Sequence, residues 1–285
     1  MKPKAVSKKK MSAAMIVYYI ILTFAAIIIL VPFVWMVATS FDRVQSYGLP
    51  YPPRLIPHNP SLFNYNIATK NMPIFRYLGN TVIITAISVA LNCVTATLSG
   101  FCLSKGRFPG KNFLMMIILM NMMVPFESKL MPVYKIIQGL GLNNTYLGVA
   151  LPSVLTNAMF IFFIKKYCDD LPYELYEAGI MDGASKFGIY LKIFLPLMGP
   201  VVATMVILNI MNCWNDLLWP MIVLTKPEMY TVQVGLAMFS TAETSNVHAG
   251  VATALSVLSI LPLSFCFMFL QKYIIQSIAA TGIKQ

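Results

Sequence analysis

The sequence predicts an all-α polytopic membrane protein with six transmembrane helices. Three observations carry that prediction. The 285 residues are 58% hydrophobic and only 11% charged, with a mean hydropathy of +0.72, whereas a soluble domain is about a quarter charged. Six apolar stretches are each long enough to cross a hydrocarbon core, which takes about 20 residues of helix. Basic residues are also distributed unevenly among the connecting loops.

The six runs extend approximately from Ala13 to Ala38, Thr81 to Leu103, Phe113 to Tyr134, Tyr146 to Ile164, Ile193 to Leu224 and Val251 to Leu270. The first is too long for the apolar region of a signal peptide, and no small-residue cleavage site follows it, so it reads as a retained span. Prolines 32, 125, 152, 196, 200, 220 and 262 fall in or beside the runs. They are tolerated there because neighbouring helices can satisfy the freed carbonyls.

Charge sets the orientation. With the N-terminus inside, fourteen of the 21 basic residues fall in inner segments, including Lys8, Lys9 and Lys10 and the turn Lys105–Lys111. The outer loops are longer and hold fewer, so both termini are expected to be cytoplasmic. The chain then divides into a cytoplasmic tail (1–12), a first transmembrane helix (13–39), an extracytoplasmic loop (40–79), a transmembrane core (80–275) and a cytoplasmic tail (276–285). The lysine run Lys8–Lys10 serves orientation first and membrane-lipid headgroups second. The net charge of +11 follows from this loop bias, and nucleic acid is not an expected partner.

Several function classes lack their residues. The five cysteines include no C-x-x-C pair, and His58 and His248 are isolated, so no metal site and no catalytic residues are expected. Gly106–Asn112 resembles a phosphate loop only superficially. Three residues separate its glycines where four are needed, and Asn112 replaces Ser or Thr. No ATP site and no cofactor are expected in this chain. An ion-coupled secondary transporter is the alternative, but few acids lie within the spans.

One inner loop, residues 169–187, stands out. It carries Asp169, Asp170, Glu174, Glu177 and Asp182, half of the ten acidic residues. Orientation does not require them, because carboxylates contribute little to it. Pro172 suits the first turn of a helix, good helix formers run from Tyr173 to Met181, and Gly183 can end that helix. Ser185 can cap a second helix leading into the fifth run. Tyr173, Tyr176 and Ile180 are expected on one face, with Glu174, Glu177 and Met181 on another.

Within the spans, Asn209, Asn212, Trp214, Asn215 and Asp216 gather amide, aromatic and acidic groups in the fifth run. That mixture suits a path for a sugar, and it equally suits interhelical hydrogen bonds. Glu127 and Lys129 are expected to form an ion pair at the edge of a span.

These residues carry a resemblance. Glu177-Ala178-Gly179, Asp182-Gly183-Ala184 and Ile193-Phe194-Leu195-Pro196 resemble the "EAA" loop of ABC importer permeases, with Gly179 in place of the usual Ala. Phe33-Val34-Trp35-Met36, Phe63-Asn64-Tyr65, Gly141-Leu142-Asn143-Asn144-Thr145, Trp214-Asn215-Asp216 and Gln271-Lys272-Tyr273 are similar to the carbohydrate importers of that family. The resemblance implies that loop 169–187 is a coupling helix docking on a cytoplasmic ABC ATPase dimer through Glu174, Glu177, Ala178, Gly179, Asp182, Gly183 and Ala184. It also implies a second homologous permease and an extracytoplasmic sugar-binding protein as partners, with ATP bound by the ATPase. Gly179 is expected to loosen the docking helix, since Gly costs about 1 kcal/mol of helix propensity relative to Ala.

Overall fold

The structure is a computed structural model that describes residues 13–43, 54–155, 157–241 and 249–282. The first tail with Lys8–Lys10, His248 and the final residues of the second tail lie outside the described residues. Fifteen α-helices follow one another along these segments. The chain separates into two compact units, Met1–Asn71 with Glu243–Val257, and Met72–Ala242 with Leu258–Gln285.

In the first unit, α1 (Ala13–Phe41) has 29 residues, about 43 Å of helix at 1.5 Å per residue. That exceeds a hydrocarbon core of about 30 Å. Its apolar side chains are exposed almost throughout, as a lipid-facing helix requires. Among the described residues of the segment after it is a short helix, α2 (Phe63–Asn71). Asn64 of α2 is fully buried, and its Nδ2 donates to the carbonyls of Ser40 (3.0 Å) and Asp42 (3.1 Å) at the end of α1. The Asp42 carboxylate accepts from the backbone N–H groups of His58 and Asn59. Gly250, at the start of α15 (Ala249–Gly282), lies against Asn64 so closely that a β-carbon would meet Asn64 Nδ2 at 2.5 Å.

The second unit is organised around α3 (Ile74–Lys105). This helix begins at Ile74, ahead of the start of the expected run at Thr81. Its first turns are held by tertiary bonds: Asn80 Nδ2 donates to the carbonyls of Glu228 and Tyr230, and the Tyr146 hydroxyl donates to Asn80 Oδ1. At its far end α3 packs on α8 (Ala158–Asp170), where Gly100 abuts Ile164. Small residues let helix backbones approach closely inside a membrane.

Three helices, Ala14–Phe41, Ile74–Lys105 and Ala249–Lys272, are long and apolar enough to cross a membrane unbroken, and three further bent pairs meet the same test together. The third run is not one straight helix. It divides into α4 (Lys111–Met123) and α5 (Phe126–Gly139), bent by 108°. Pro125 causes the break, because it lacks an N–H and holds the preceding Val124 in extended backbone (ψ 115°). The fourth run comprises α6 (Tyr146–Ala150), α7 (Pro152–Leu155) and α8.

The fifth run is interrupted twice. It starts early, with α10 (Lys186–Ile189), a π-helical turn (Tyr190–Phe194) and α11 (Leu195–Leu197). It bends by 77° before α12 (Gly199–Asn215). Asp216 is then extended, and α13 (Leu218–Val223) begins anew. The chain continues through α14 (Val232–Thr241) into α15.

Candidate functional site: an acidic loop and an amide-lined cleft

The acidic segment folds as helix, glycine and helix. After α8 comes α9 (Glu174–Met181). Pro172 lies ahead of the N-cap residue Tyr173 and is therefore outside the first turn. Glu174 and Glu177 occupy that turn, where carboxylates favour the positive end of the helix dipole. Gly183 ends the helix with φ +75°. Its N–H donates to the carbonyl of Ile180 (2.9 Å), and that of Ala184 donates to Gly179 (3.0 Å). This is the paired closure that a left-handed glycine permits. Ser185 Oγ then accepts from Gly188 N–H at 3.1 Å and caps α10.

The buried face of α9 is narrower than the expected one. Tyr176 and Gly179 point inward, while Ile180 is exposed beside Met181. Gly179 is a packing position rather than a loose one, because Ile189 and Ile193 fill the space a β-carbon would need. Tyr176 joins a core of Phe101, Tyr190, Phe194, Ile164 and Cys168. Phe101 is the hub of that cluster, with ring centroids 5.0 Å from Phe194, 5.5 Å from Tyr190 and 6.2 Å from Tyr176.

The base of the loop is tied to the end of α3. Lys105, 5% exposed, donates from Nζ to the Leu171 carbonyl at 2.7 Å and sits over the rings of Tyr173 and Phe194. Arg107 stacks on Tyr173 at 5.0 Å. Asp169 is used internally, accepting from Ser104 Oγ (2.7 Å) and Lys165 Nζ (2.6 Å), and Asp170 pairs with Lys166. Two of the five clustered acids are thus bound within the chain. Glu174, Glu177 and Asp182 face outward and make no ion pair among the described residues, with Leu175, Ile180, Met181 and Phe187 exposed around them. The result is an exposed surface that mixes three carboxylates with apolar side chains.

A second feature lies within the same unit. A cleft of about 630 Å³ opens among α3, α5, the α6–α8 region, α12 and α13. Asn209, Asn212, Asn215 and Asp216 line it, and Trp214 does not. Trp214 is buried elsewhere, its Nε1 donating to the Ser259 carbonyl at 3.2 Å. The cleft also takes in residues the sequence did not single out: Ser88 and Asn92 of α3, Ser153 of α7, and Asn157. Glu127 lines it as well, and the expected ion pair with Lys129 is not formed among the described residues: Lys129 Nζ donates instead to Asn121 Oδ1 at 2.8 Å. Phe126, Phe160 and Trp219 supply apolar wall, and the Phe126 and Trp219 rings meet edge-on at 5.9 Å.

Hydrogen bonds fix much of the lining. Asn92 Nδ2 donates to Ser88 O and Ser153 Oγ, both at 2.9 Å, and Asn157 Nδ2 donates to Thr95 Oγ1. Asn209 Oδ1 accepts from Cys213 Sγ. Asp216 Oδ1 accepts from Trp219 N–H (3.4 Å) in the first turn of α13, and Trp219 Nε1 donates to the Gly148 carbonyl.

This architecture, with its long apolar helices and broken spans around a polar cleft, is that of a membrane permease. The chain belongs to the family described as binding-protein-dependent transport system inner membrane component, which matches residues 94–280. It is 34% identical, over 92% of its length and 93% of the relative's, to the arabinooligosaccharides transport system permease protein AraQ of Halalkalibacterium halodurans. It is 29% identical, over 91% of its length and 93% of the relative's, to the trehalose/maltose transport system permease protein MalG of Thermococcus litoralis. The sn-glycerol-3-phosphate transport system permease protein UgpE of Escherichia coli is 28% identical, with 89% of this chain and 91% of that one covered. The fold matches a chain in the crystal structure of a bacterial ABC transporter involved in the import of the acidic polysaccharide alginate, with a TM-score of 0.79 at 24% identity, covering 93% of this chain and 99% of that one.

Proposed function

We propose that this chain is the permease subunit of an ATP-driven importer for a sugar or oligosaccharide. The observation that carries this reading is the end-to-end similarity to permeases named for arabinooligosaccharide and trehalose/maltose transport. These relatives favour it over an ion-coupled secondary transporter. In this reading the bent pairs act as single spans, giving six, and both termini are cytoplasmic.

Residues 169–187 then form a coupling helix that docks on a cytoplasmic ATPase dimer. Glu174, Glu177 and Asp182 supply charge-assisted contacts, and the turn at Gly183–Ala184 fixes the angle of the docked helix. ATP binds the partner and not this chain, and no cofactor is held here. A second homologous permease completes the pathway, and an extracytoplasmic sugar-binding protein delivers the solute. Support for the docking role comes from the outward acidic face of α9, set on a base tied to α3. A push on α9 can pass through Phe101 and Lys105 into the helix that carries Ser88 and Asn92, biasing a two-state core.

The test is uptake by membrane vesicles containing this chain with its partner permease, ATPase and binding protein. Uptake of an arabino- or malto-oligosaccharide is expected to require ATP and to survive collapse of the proton and sodium gradients. Gradient-driven uptake with no ATPase present would overturn the proposal.

A further inference from the structure

Helix α3 runs through the second unit without a break and is fastened at both ends. It has 32 residues and no proline, about 48 Å of helix at 1.5 Å per residue. The third, fourth and fifth runs beside it are bent, by 108°, 47° and 77°. A bent run can yield at its break, whereas a continuous helix passes a tilt at one end to the other. Rigid elements of this kind carry coupling between distant sites.

At the acidic-loop end, Lys105 holds the Leu171 carbonyl, Phe101 packs on Phe194, and Thr97 Oγ1 shares a hydrogen bond of 2.8 Å with the Tyr190 hydroxyl. These contacts bind α3 to the start of the acidic loop and to the turn that follows it. At the other end, Asn80 and Thr81 are 4% and 1% exposed. Asn80 Nδ2 donates to the carbonyls of Glu228 and Tyr230, both at 2.9 Å, and Asn80 Oδ1 accepts from the Tyr146 hydroxyl. Each polar atom of this amide is thus engaged, mostly on backbone 148 and 150 residues along the chain. Thr81 Oγ1 accepts from the Val232 N–H at 2.9 Å. Asn144 grips the opposite flank of the same segment, its Oδ1 accepting from the N–H groups of Thr225 (2.6 Å) and Lys226 (2.9 Å). The loop 224–231 is therefore tied down on both sides, while Lys226, Pro227 and Glu228 at its tip are exposed.

We propose that α3 is a strut that moves the loop 224–231 in step with the acidic loop, and that Asn80 and Thr81 are the positioning residues of its far joint. Neither lines the cleft, so their role is separate from contact with a solute. The proposal rests on the reading of residues 169–187 as the ATPase-docking loop and adds where the motion of that loop emerges. A rigid-body shift of this kind needs both joints intact.

The test uses the assembled complex of both permeases and the ATPase. An environment-sensitive fluorophore is placed on Lys226→Cys, the far probe, or on Lys192→Cys, the near probe. Both positions are exposed, and Lys192 lies on the π-helical turn. The exposed Cys102 and Cys266 are changed to Ser. ATP with vanadate, which holds an ATPase closed, is expected to shift the emission of both probes. Asn80→Leu and the milder Thr81→Val should each cut the far shift by at least half and leave the near shift unchanged. Thr81→Ser, which keeps the hydroxyl, should preserve both. A response of one probe without the other before these substitutions, or a far shift that survives both Asn80→Leu and Thr81→Val, overturns the proposal. An equal loss at both probes also overturns it, since the bonds would then be general supports of the fold. Silence of both probes before substitution refutes the docking reading instead.

Discussion

Gly179 and Ile189 occupy each other's space. A β-carbon on Gly179 would lie 2.9 Å from Ile189 Cγ1 and 3.1 Å from its Cδ1, with Ile193 Cδ1 also at 3.1 Å. The departure from the usual Ala is therefore matched by branched side chains across the loop. Gly179→Ala gains about 1 kcal/mol in helix propensity but overpacks a filled site, which typically costs about 1–3 kcal/mol. The variant should be no more stable than wild type, and Ile189→Val, by removing Cδ1, should offset part of its loss. Heat inactivation of the solubilised complex, read as a double-mutant cycle, checks this. Additive effects of the two substitutions would contradict it.

Lys105 should matter to coupling more than to insertion. Lys105→Met keeps most of the stem but leaves the Leu171 carbonyl without its donor, at a cost of about 1–3 kcal/mol. The expected result is a loosened loop base, with faster tryptic cleavage at Lys186 and more ATP hydrolysed per solute imported. Unchanged cleavage and stoichiometry would show that the tie is dispensable.

Glu177 tests the docking surface itself. It is exposed and makes no ion pair among the described residues, so Glu177→Lys should leave the chain folded and inserted. Uptake should fall at least tenfold, with weaker co-purification of the ATPase. Wild-type uptake by this variant would refute the docking role.

Gly100→Ala probes the α3–α8 crossing. Its β-carbon would meet Ile164 Cγ2 at 2.5 Å, Ile164 Cβ at 2.7 Å and the Lys165 backbone nitrogen at 2.9 Å. Since backbone cannot yield as a side-chain tip can, the helices must separate. The amount of folded protein recovered in detergent should drop several-fold, with partial recovery on adding Ile164→Ala.

Much of the loop was legible in the sequence because its signals are local. Gly183 and Ser185 act on neighbours within a few residues, and both do what their chemistry predicts. The bends were harder to read. Pro125 breaks its helix while Pro32 and Pro262 lie inside continuous ones, so proline alone does not identify the break. Sequence proximity groups Trp214 with Asn209, Asn212, Asn215 and Asp216. At about 100° per residue, Trp214 is turned well away from Asn209 and Asn212, and helical spacing would have separated them. Asn92, Ser153 and Asn157 join the cleft only through the packing of α3 on the fourth run, which leaves no local trace.

The π-helical turn at Tyr190–Phe194 has a consequence for how motion is inherited along the chain. Its wider winding, closed by the Leu195 N–H on the Tyr190 carbonyl, absorbs one residue without changing direction. Ile189, Tyr190, Phe194 and Met198 can therefore all face one core, at 0–5% exposure. A uniform α-helix would put the segments on either side about 100° out of phase. The turn thus acts as a phase adjuster between the acidic loop and the cleft helix. Deleting one residue from it would leave every motif intact in sequence while aiming the loop and the cleft in different directions.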